Sequence, residues 1–416
     1  MSDTTQNVHA LSDHVLSDDD RLIADSAERL FAQQVDKAVR QRTEAGEWPA
    51  ALWAAVTDIG LPMLLAAEAQ GGFGGRWSAA YAVLRGLGHW QVPLPLAETM
   101  VAAQLLSAAG LPVPQGPLTL IEAARCPGLQ VGGTAAQPVL TGTAHRVPWA
   151  RHAVAAAVAL PGGIIALVPL RSAAGAAGAT GAAGAAVAAG SVARGLDIRL
   201  QTNHAGLPSD TVVFDRAEAQ AAGPHGLGLA EPAWTLGALA RCVMMVGALE
   251  SALAQSVQYA GERVQFGKPI GRNQAIQQAL ALMAGDVVAA RMAALAAVAD
   301  APTVAGAVNT AHAGACAAAP MSTSTVARSP ACLFSVAVAK VRCGEAATRA
   351  TNTAHQVHGA IGFTHEHALH FATRRLWAWR EEFGSDADWA RDLGRAAIRG
   401  RAPGFWPGLT ARSLMA

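Results

Sequence analysis

Aromatic residues make up 5% of the 416 positions, with two tyrosines, and charged residues 15%. So few charges exclude a solvated, disordered chain, since such chains resist collapse by carrying many of them. An excess of one sign is also missing. Thirty-one Lys and Arg stand against 30 Asp and Glu, a net charge of +1, which excludes a polyanion binder working through a general basic field. Nucleic acid is not expected as a partner. Cysteine is scarce: Cys126, Cys242, Cys316, Cys332 and Cys343 are odd in number and form no CxxC pair, so neither a disulfide framework nor a zinc knuckle is expected. Long runs of bulky apolar residues are missing as well. The most apolar tracts are interrupted by Pro161-Gly162-Gly163 or consist of small residues, so no membrane-spanning helix is expected. The first 20 residues are polar and acidic rather than basic and then apolar, which predicts a cytoplasmic protein.

What remains is 52% hydrophobic, much of it alanine, enough for large cores in two or three domains. From Asp18 to about Gly110, apolar residues recur at spacings of three and four behind an acidic start, which predicts helices. GGFGG, from Gly71 to Gly75, lacks the lysine and preceding strand of a phosphate-cradling loop and reads as a turn. Between 112 and 224 the pattern changes to short apolar segments split by glycine and proline, as in a small antiparallel β domain. The Gly/Ala-rich stretch 172–195 within it reads as an inserted loop. From 225 to 416 the helical pattern returns in segments 234–265, 273–299 and 332–358, with a mobile connection expected at about 300–330. The fold class read from this order is α+β: an N-terminal helical domain (1–111), a central β domain (112–224) and a C-terminal four-helix bundle (225–416).

Two segments carry chemical information. In GERVQFGKPIGRNQAIQQ, from Gly261 to Gln278, a helix ends, a turn with Gly267, Pro269 and Gly271 exposes Arg263 and Lys268, and a new helix opens near Asn273. An arginine beside a helix amino terminus suits a phosphate or pyrophosphate; a capped helix hairpin explains the same pattern. In HQVHGAIGFTHEHALH, from His355 to His370, Gln356 precedes Gly359 and Gly362, where a backbone can approach a ligand closely. The five histidines of this segment read as a polar turn surface rather than a metal site. Arg391, Arg395 and Arg399 recur every four residues and read as one solvated or subunit-facing helix stripe.

RVQFGKPIGRNQAIQQALALM and QVHGAIGFTHEHALH resemble the two carboxy-terminal signatures of acyl-CoA dehydrogenases, and the order of helices, β module and helices is similar to that family throughout. The resemblance implies FAD, held between the β domain and the bundle and reaching a neighbouring subunit. Arg263, Gln265, Phe266, Ile270 and Gln274 would hold its pyrophosphate and adenine side, and Gln356, Gly359 and Ala360 its adenosine part from another subunit. It implies α,β-desaturation of an acyl-CoA thioester, a homo- or heterotetramer, and electron-transfer flavoprotein as acceptor; the chain resembles in particular the subunits of heteromeric steroid and aromatic-side-chain type members, which implies a bulky or cyclic acid as the acyl group.

In many members a glutamate after the second signature removes the α proton. Counted without gaps, that position is Phe383, with Glu382 and Glu381 just before it; a one-residue shift makes Glu382 the candidate base. In other members the base lies on the helix before the arginine signature, where this chain has Met244, Met245 and, farther on, Glu250. The Thr-Glu-Pro and Trp-Ile-Thr runs that contact the flavin ring are replaced by LIEAARCPGLQVGG and TAHRVPWARHA, which brings Val147 and Pro148 near the ring, and proline has no N–H to offer. Two further readings follow from the missing base: a non-catalytic partner that completes another subunit's flavin site, and a flavin monooxygenase or oxidase on the same fold.

Overall fold

The computed structural model describes residues 18–74, 76–172, 191–304 and 330–415. Most of the Gly/Ala-rich stretch and of the connection expected at 300–330, and nearly all of the acidic start, lie outside the described residues.

Five helices form the N-terminal part: α1 (Asp18–Gln34), α2 (Lys37–Glu44), α3 (Ala50–Asp58), α4 (Trp77–His89) and α5 (Leu96–Ala108). The Asp36 side chain caps α2 by accepting from the Val39 N–H at 2.7 Å. Residues 71–74 of the GGFGG segment turn between α3 and α4, with Gly71 and Gly74 at positive φ and Gly72 pressed against the Ala66 carbonyl.

The β module comprises β1 (Leu118–Glu122), β2 (Leu129–Gly133), β3 (Pro138–Pro148), β4 (Ala155–Leu160), β5 (Ile164–Pro169), β6 (Leu196–Arg199), β7 (Ser209–Glu218) and β8 (Ala221–Pro224). They form two four-stranded sheets, ordered β1-β4-β5-β8 and β2-β3-β7-β6, antiparallel except for the parallel pair β1 and β4. Strand β4 shows why alternation is hard to see in its sequence. Ala155, Ala157 and Ala159 face the helical core, while Ala156, Val158 and Leu160 face the core between the sheets. A strand buried on both faces reads as a continuous apolar run, and alanine on the helix-facing side keeps the layers close.

The C-terminal part is a bundle of α6 (Pro232–Glu262), α7 (Gln274–Ala299), α8 (Pro330–His358) and α9 (Leu369–Glu381), followed by α10 (Asp386–Thr410). Its three long helices fall within a few residues of the segments expected from periodicity. Asn273 caps α7 through the Ala275 N–H at 3.0 Å, and Ser385 and Asp388 form a reciprocal capping box on α10. By length and hydropathy α6 and α7 could each cross a membrane. The apolar window of α6 is 89% buried inside the protein, whereas α7 leaves Leu282, Val288 and Met292 exposed.

α6 is the axis of the molecule, packing against α4, α5, α7, α8, α9 and the edge of β1. Its crossing with α4 requires glycine on both helices. A Cβ on Gly88 would stand 1.8 Å from the Met244 carbonyl oxygen, and one on Gly247 1.9 Å from that of Arg85. Both obstacles are backbone, so neither can move aside. Gly247→Val is therefore expected to cost at least about 3 kcal/mol, at the upper end of overpacking penalties. An unchanged urea midpoint in that variant would show that α4 and α6 do not cross this closely.

Candidate active site

A cavity of ≈ 980 Å³ opens between the β module and the bundle. Its walls come from the end of β1, the end of β3, the 201–209 loop, the start of α6 and the end of α9. Val147 and Pro148 line it, as the resemblance implies, and so does Glu382. The end of β3 is bent into this wall: Arg146 and Trp149 both take positive φ, near 55°, around a register shift in the pairing with β7. Non-glycine residues held this way store strain and concentrate at functional sites.

Glu382 is tied on both sides. Its Oε1 accepts from Asn203 Nδ2 at 2.8 Å and its Oε2 from Arg241 Nε at 2.6 Å. The other side of the Arg241 guanidinium holds Glu98 of α5. Burial alone would lower the Arg241 pKa, but the two carboxylates outweigh it and raise it above the ordinary guanidinium value. Asn203 is fixed in turn, because its Oδ1 accepts from the Ala205 and Leu207 N–H groups. Lys340, fully buried in α8, donates to the Trp379, Arg380 and Glu382 carbonyls at the end of α9.

Phe383, the base position by gap-free count, points its ring at α6. A Cβ on Gly237 would meet that ring at 2.6 Å, Trp234 meets it edge-on at 6.3 Å, and the Arg241 guanidinium lies 5.5 Å from its centroid. The helix that carries the base in other relatives supplies none here. Glu250 pairs with Arg85 at 2.6 Å away from the cleft, Met245 is fully buried, and Met244 lines only the small space behind Glu382.

The residues expected to hold the cofactor stand elsewhere. Arg263, Gln265, Phe266, Ile270 and Gln274 form the β9 (Val264–Gln265) and β10 (Lys268–Pro269) hairpin and the start of α7. Gln356 lies in the last turn of α8, and Gly359 and Ala360 in the 3-10 turn after it. The two sets share one end of the bundle: His358 stacks on Tyr259 at 4.6 Å, one turn before Arg263. None of them lines the cleft. The cleft meets α6 at Trp234 and the hairpin leaves it at Arg263, about 43 Å apart at 1.5 Å per residue. The histidines of this segment are engaged with one another and with aromatic rings, His358 against His367 and His355 against Phe363.

One cleft carboxyl was not foreseen from the sequence. Glu122, the last residue of β1, is buried in the cleft wall, with Oε2 3.3 Å from the Trp234 N–H at the start of α6. Burial pushes its pKa up to about 8, helped by the charge of Glu231 and opposed by the Trp234 and Ala233 N–H groups and by Arg125. Its sequence signal was the apolar run LTLI before it: a carboxylate closing a strand buried on both faces must itself enter the interior. A carboxyl raised from about 4.3 in the unfolded chain contributes stability in full below that value and loses it as pH rises towards about 8. Glu122→Gln is therefore expected to gain on the wild type, by roughly 1.4 kcal/mol per pH unit at most, between pH ~5 and ~8 and to keep a constant lead above. Parallel urea-stability curves across this range would contradict the assignment.

The comparisons with known proteins agree with this architecture. The acyl-CoA dehydrogenase N-terminal domain family matches residues 17–112 and the acyl-CoA dehydrogenase C-terminal domain family residues 224–397. The chain is 26% identical over 365 residues to the acyl-CoA dehydrogenase IpdE2 of Mycobacterium tuberculosis (strain ATCC 25618 / H37Rv), covering 85% of this chain and 90% of that one. Among solved structures it is similar to the ChsE4-ChsE5 complex from Mycobacterium tuberculosis, with a TM-score of 0.71 at 22% identity over 93% of this chain and 99% of that one. Butyryl-CoA dehydrogenase from Megasphaera elsdenii gives 0.69 at 18% identity, over 92% and 99%. With both family domains in place around a cleft where β module and bundle meet, this chain belongs to the acyl-CoA dehydrogenase family.

Proposed function

We propose that this chain is a subunit of an FAD-dependent acyl-CoA dehydrogenase that desaturates an acyl-CoA thioester between its α and β carbons, with electron-transfer flavoprotein as the acceptor. The cleft between β module and bundle carries the reading. The residues present fit the cofactor. A Cβ on Gly267 or Gly359 would meet nothing within 4 Å, Phe266 is fully exposed, and Arg263 makes no ion pair among the described residues. This leaves a guanidinium for pyrophosphate, the Gln274 and Gln356 amides for ribose and phosphate oxygens, and open backbone at the turns.

FAD, when bound, supplies the hydride acceptor. Glu382 is the chain's candidate for the α proton. Asn203 and Arg241 take one lone pair on each of its oxygens and leave others for a proton. The two hydrogen bonds also fix the carboxylate against rotation.

The separation of hairpin and cleft along α6 supports an assembly in which the hairpin of one subunit serves the cleft of another. The apolar residues left exposed there and on the outer face of α7, among them Val264, Phe266, Leu282 and Met292, suit a subunit interface. Light scattering is expected to give a mass near four times the 42.5 kDa chain; a monomer would contradict this.

A second reading, the non-catalytic partner in a heteromer, is favoured by Phe383, whose ring packs on Gly237 at the position where the base is counted. Expression alone and with a neighbouring dehydrogenase subunit separates the two. The first reading predicts a yellow protein from this chain alone, its flavin reduced by an acyl-CoA in the absence of oxygen and no longer reduced in Glu382→Gln. A colourless chain that holds flavin only in the mixed assembly would contradict it and establish the second.

A further inference from the structure

Helices α2 and α9 meet through three guanidinium groups and one carboxylate. Glu44, at the end of α2, accepts from Arg374 Nη1 on its Oε2 at 2.8 Å and from Arg375 Nη1 on its Oε1 at 3.0 Å. Arg375 Nη1 also donates to the Phe371 carbonyl at 3.2 Å. Those bonds use one corner of the Arg375 guanidinium. The remaining edge, Nε with Nη2, is the fork by which arginine grips an anion with two parallel bonds, and among the described residues neither atom has a hydrogen-bond partner. Arg375 is 0% exposed, so bulk water does not reach that edge. Arg40 of α2 stands beside it: its guanidinium lies 4.9 Å from the centroid of the Phe371 ring, and that of Arg375 5.8 Å from the same centroid. Arg40 donates from Nη1 to the Trp90 carbonyl and to Gln91 Oε1, while its buried Nε also has no partner among the described residues.

The charges around this edge do not cancel. Glu44 is shared by two guanidinium groups, and Asp36, the other acid near Arg40, is exposed and occupied in capping α2. Burial pushes the Arg375 pKa down to about 10; Glu44 opposes the shift, and Arg40 and Arg374 add to it. The group therefore still carries its charge at neutral pH. We propose that the Nε–Nη2 edge of Arg375 binds a single-atom anion of the halide class, which ties α2 to α9. A buried N–H left without a partner is costly, the more so on a charged group, and an ion or a water is the usual remedy. Excess positive charge selects the anion over water. Closed surroundings select one atom over a larger oxyanion, since neither the cleft nor the small space behind Glu382 is lined by Arg375 or Arg40. The fork lies outside the cleft, and its occupancy is independent of the acyl-CoA reading. Arg374 and Trp377 of the same helix do line the cleft, so an anion that fixes α9 to α2 also steadies that wall.

The test is urea unfolding of the purified protein at constant ionic strength, with sodium gluconate, whose anion is too large for a closed fork, exchanged stepwise for sodium chloride. The midpoint is expected to rise with chloride and to level off as the fork fills, the folding constant increasing about tenfold when chloride reaches about ten times its Kd. Arg375→Met, which removes the fork and leaves Glu44 its bond to Arg374, is expected to abolish the rise. A midpoint indifferent to chloride, a rise that never saturates, or an equal rise in the folded variant would overturn the proposal. Should the variant fail to fold, wild-type crystals soaked in sodium bromide decide the matter. An anomalous peak within hydrogen-bonding reach of Arg375 Nε and Nη2 is expected; bromide at surface positions only, with water at the fork, would overturn it.

Discussion

Arg241 lies between two carboxylates in the interior, and much of the molecule is arranged around that fact. Glu98 comes from the N-terminal helices, Glu382 from the end of the bundle, and Arg241 from the helix that touches both. Taking three charges out of water is expensive, and they are tolerable only because every partner is present in good geometry. The clamp is thus a condition on assembly: α5, α6 and α9 have to reach their places together or leave a charge uncompensated. Lys340 extends the condition to α8 by neutralising the carbonyl end of α9 next to Glu382. What such a network contributes is definition of one arrangement more than net stability.

The same clamp gives the cleft its character. It holds a carboxylate at the back wall, closes the space behind it, and places the Phe383 ring over Gly237 beside it. The polar groups of the site are held in fixed positions. The hairpin, by contrast, lies at the other end of α6, where apolar residues are exposed and Arg263 makes no ion pair among the described residues. The hairpin and the Trp234 side of the cleft are separated by the length of α6.

Much of this was legible in the sequence, for identifiable reasons. The long helices α6, α7 and α8 announce themselves by periodicity, and Asn273 by its capping chemistry. Two carboxy-terminal signatures gave the family because their spacing is rigidly tied to the hairpin and the turn they build. The clamp was not legible. Glu98, Arg241 and Glu382 lie far apart in the chain, and nothing local marks Arg241 within an apolar helix as a buried partner. Glu122 was hidden for the opposite reason, since it follows a strand whose uniform apolarity gives no alternation to say which way its last side chain points. The remoteness of the hairpin from the cleft was also invisible, because neighbouring motifs in a sequence can sit at opposite ends of one helix.

The claim that Arg241 couples three parts of the protein is tested most directly by hydrogen exchange on Arg241→Met. This replacement keeps the volume of the aliphatic stem but leaves Glu98 and Glu382 without their partner. The account predicts that amide protection falls together in α5, around Glu98, and at the end of α9, around Glu382, two segments remote from the substitution in sequence. Loss of protection confined to the turns of α6 next to position 241, with α5 and α9 unchanged, would contradict it.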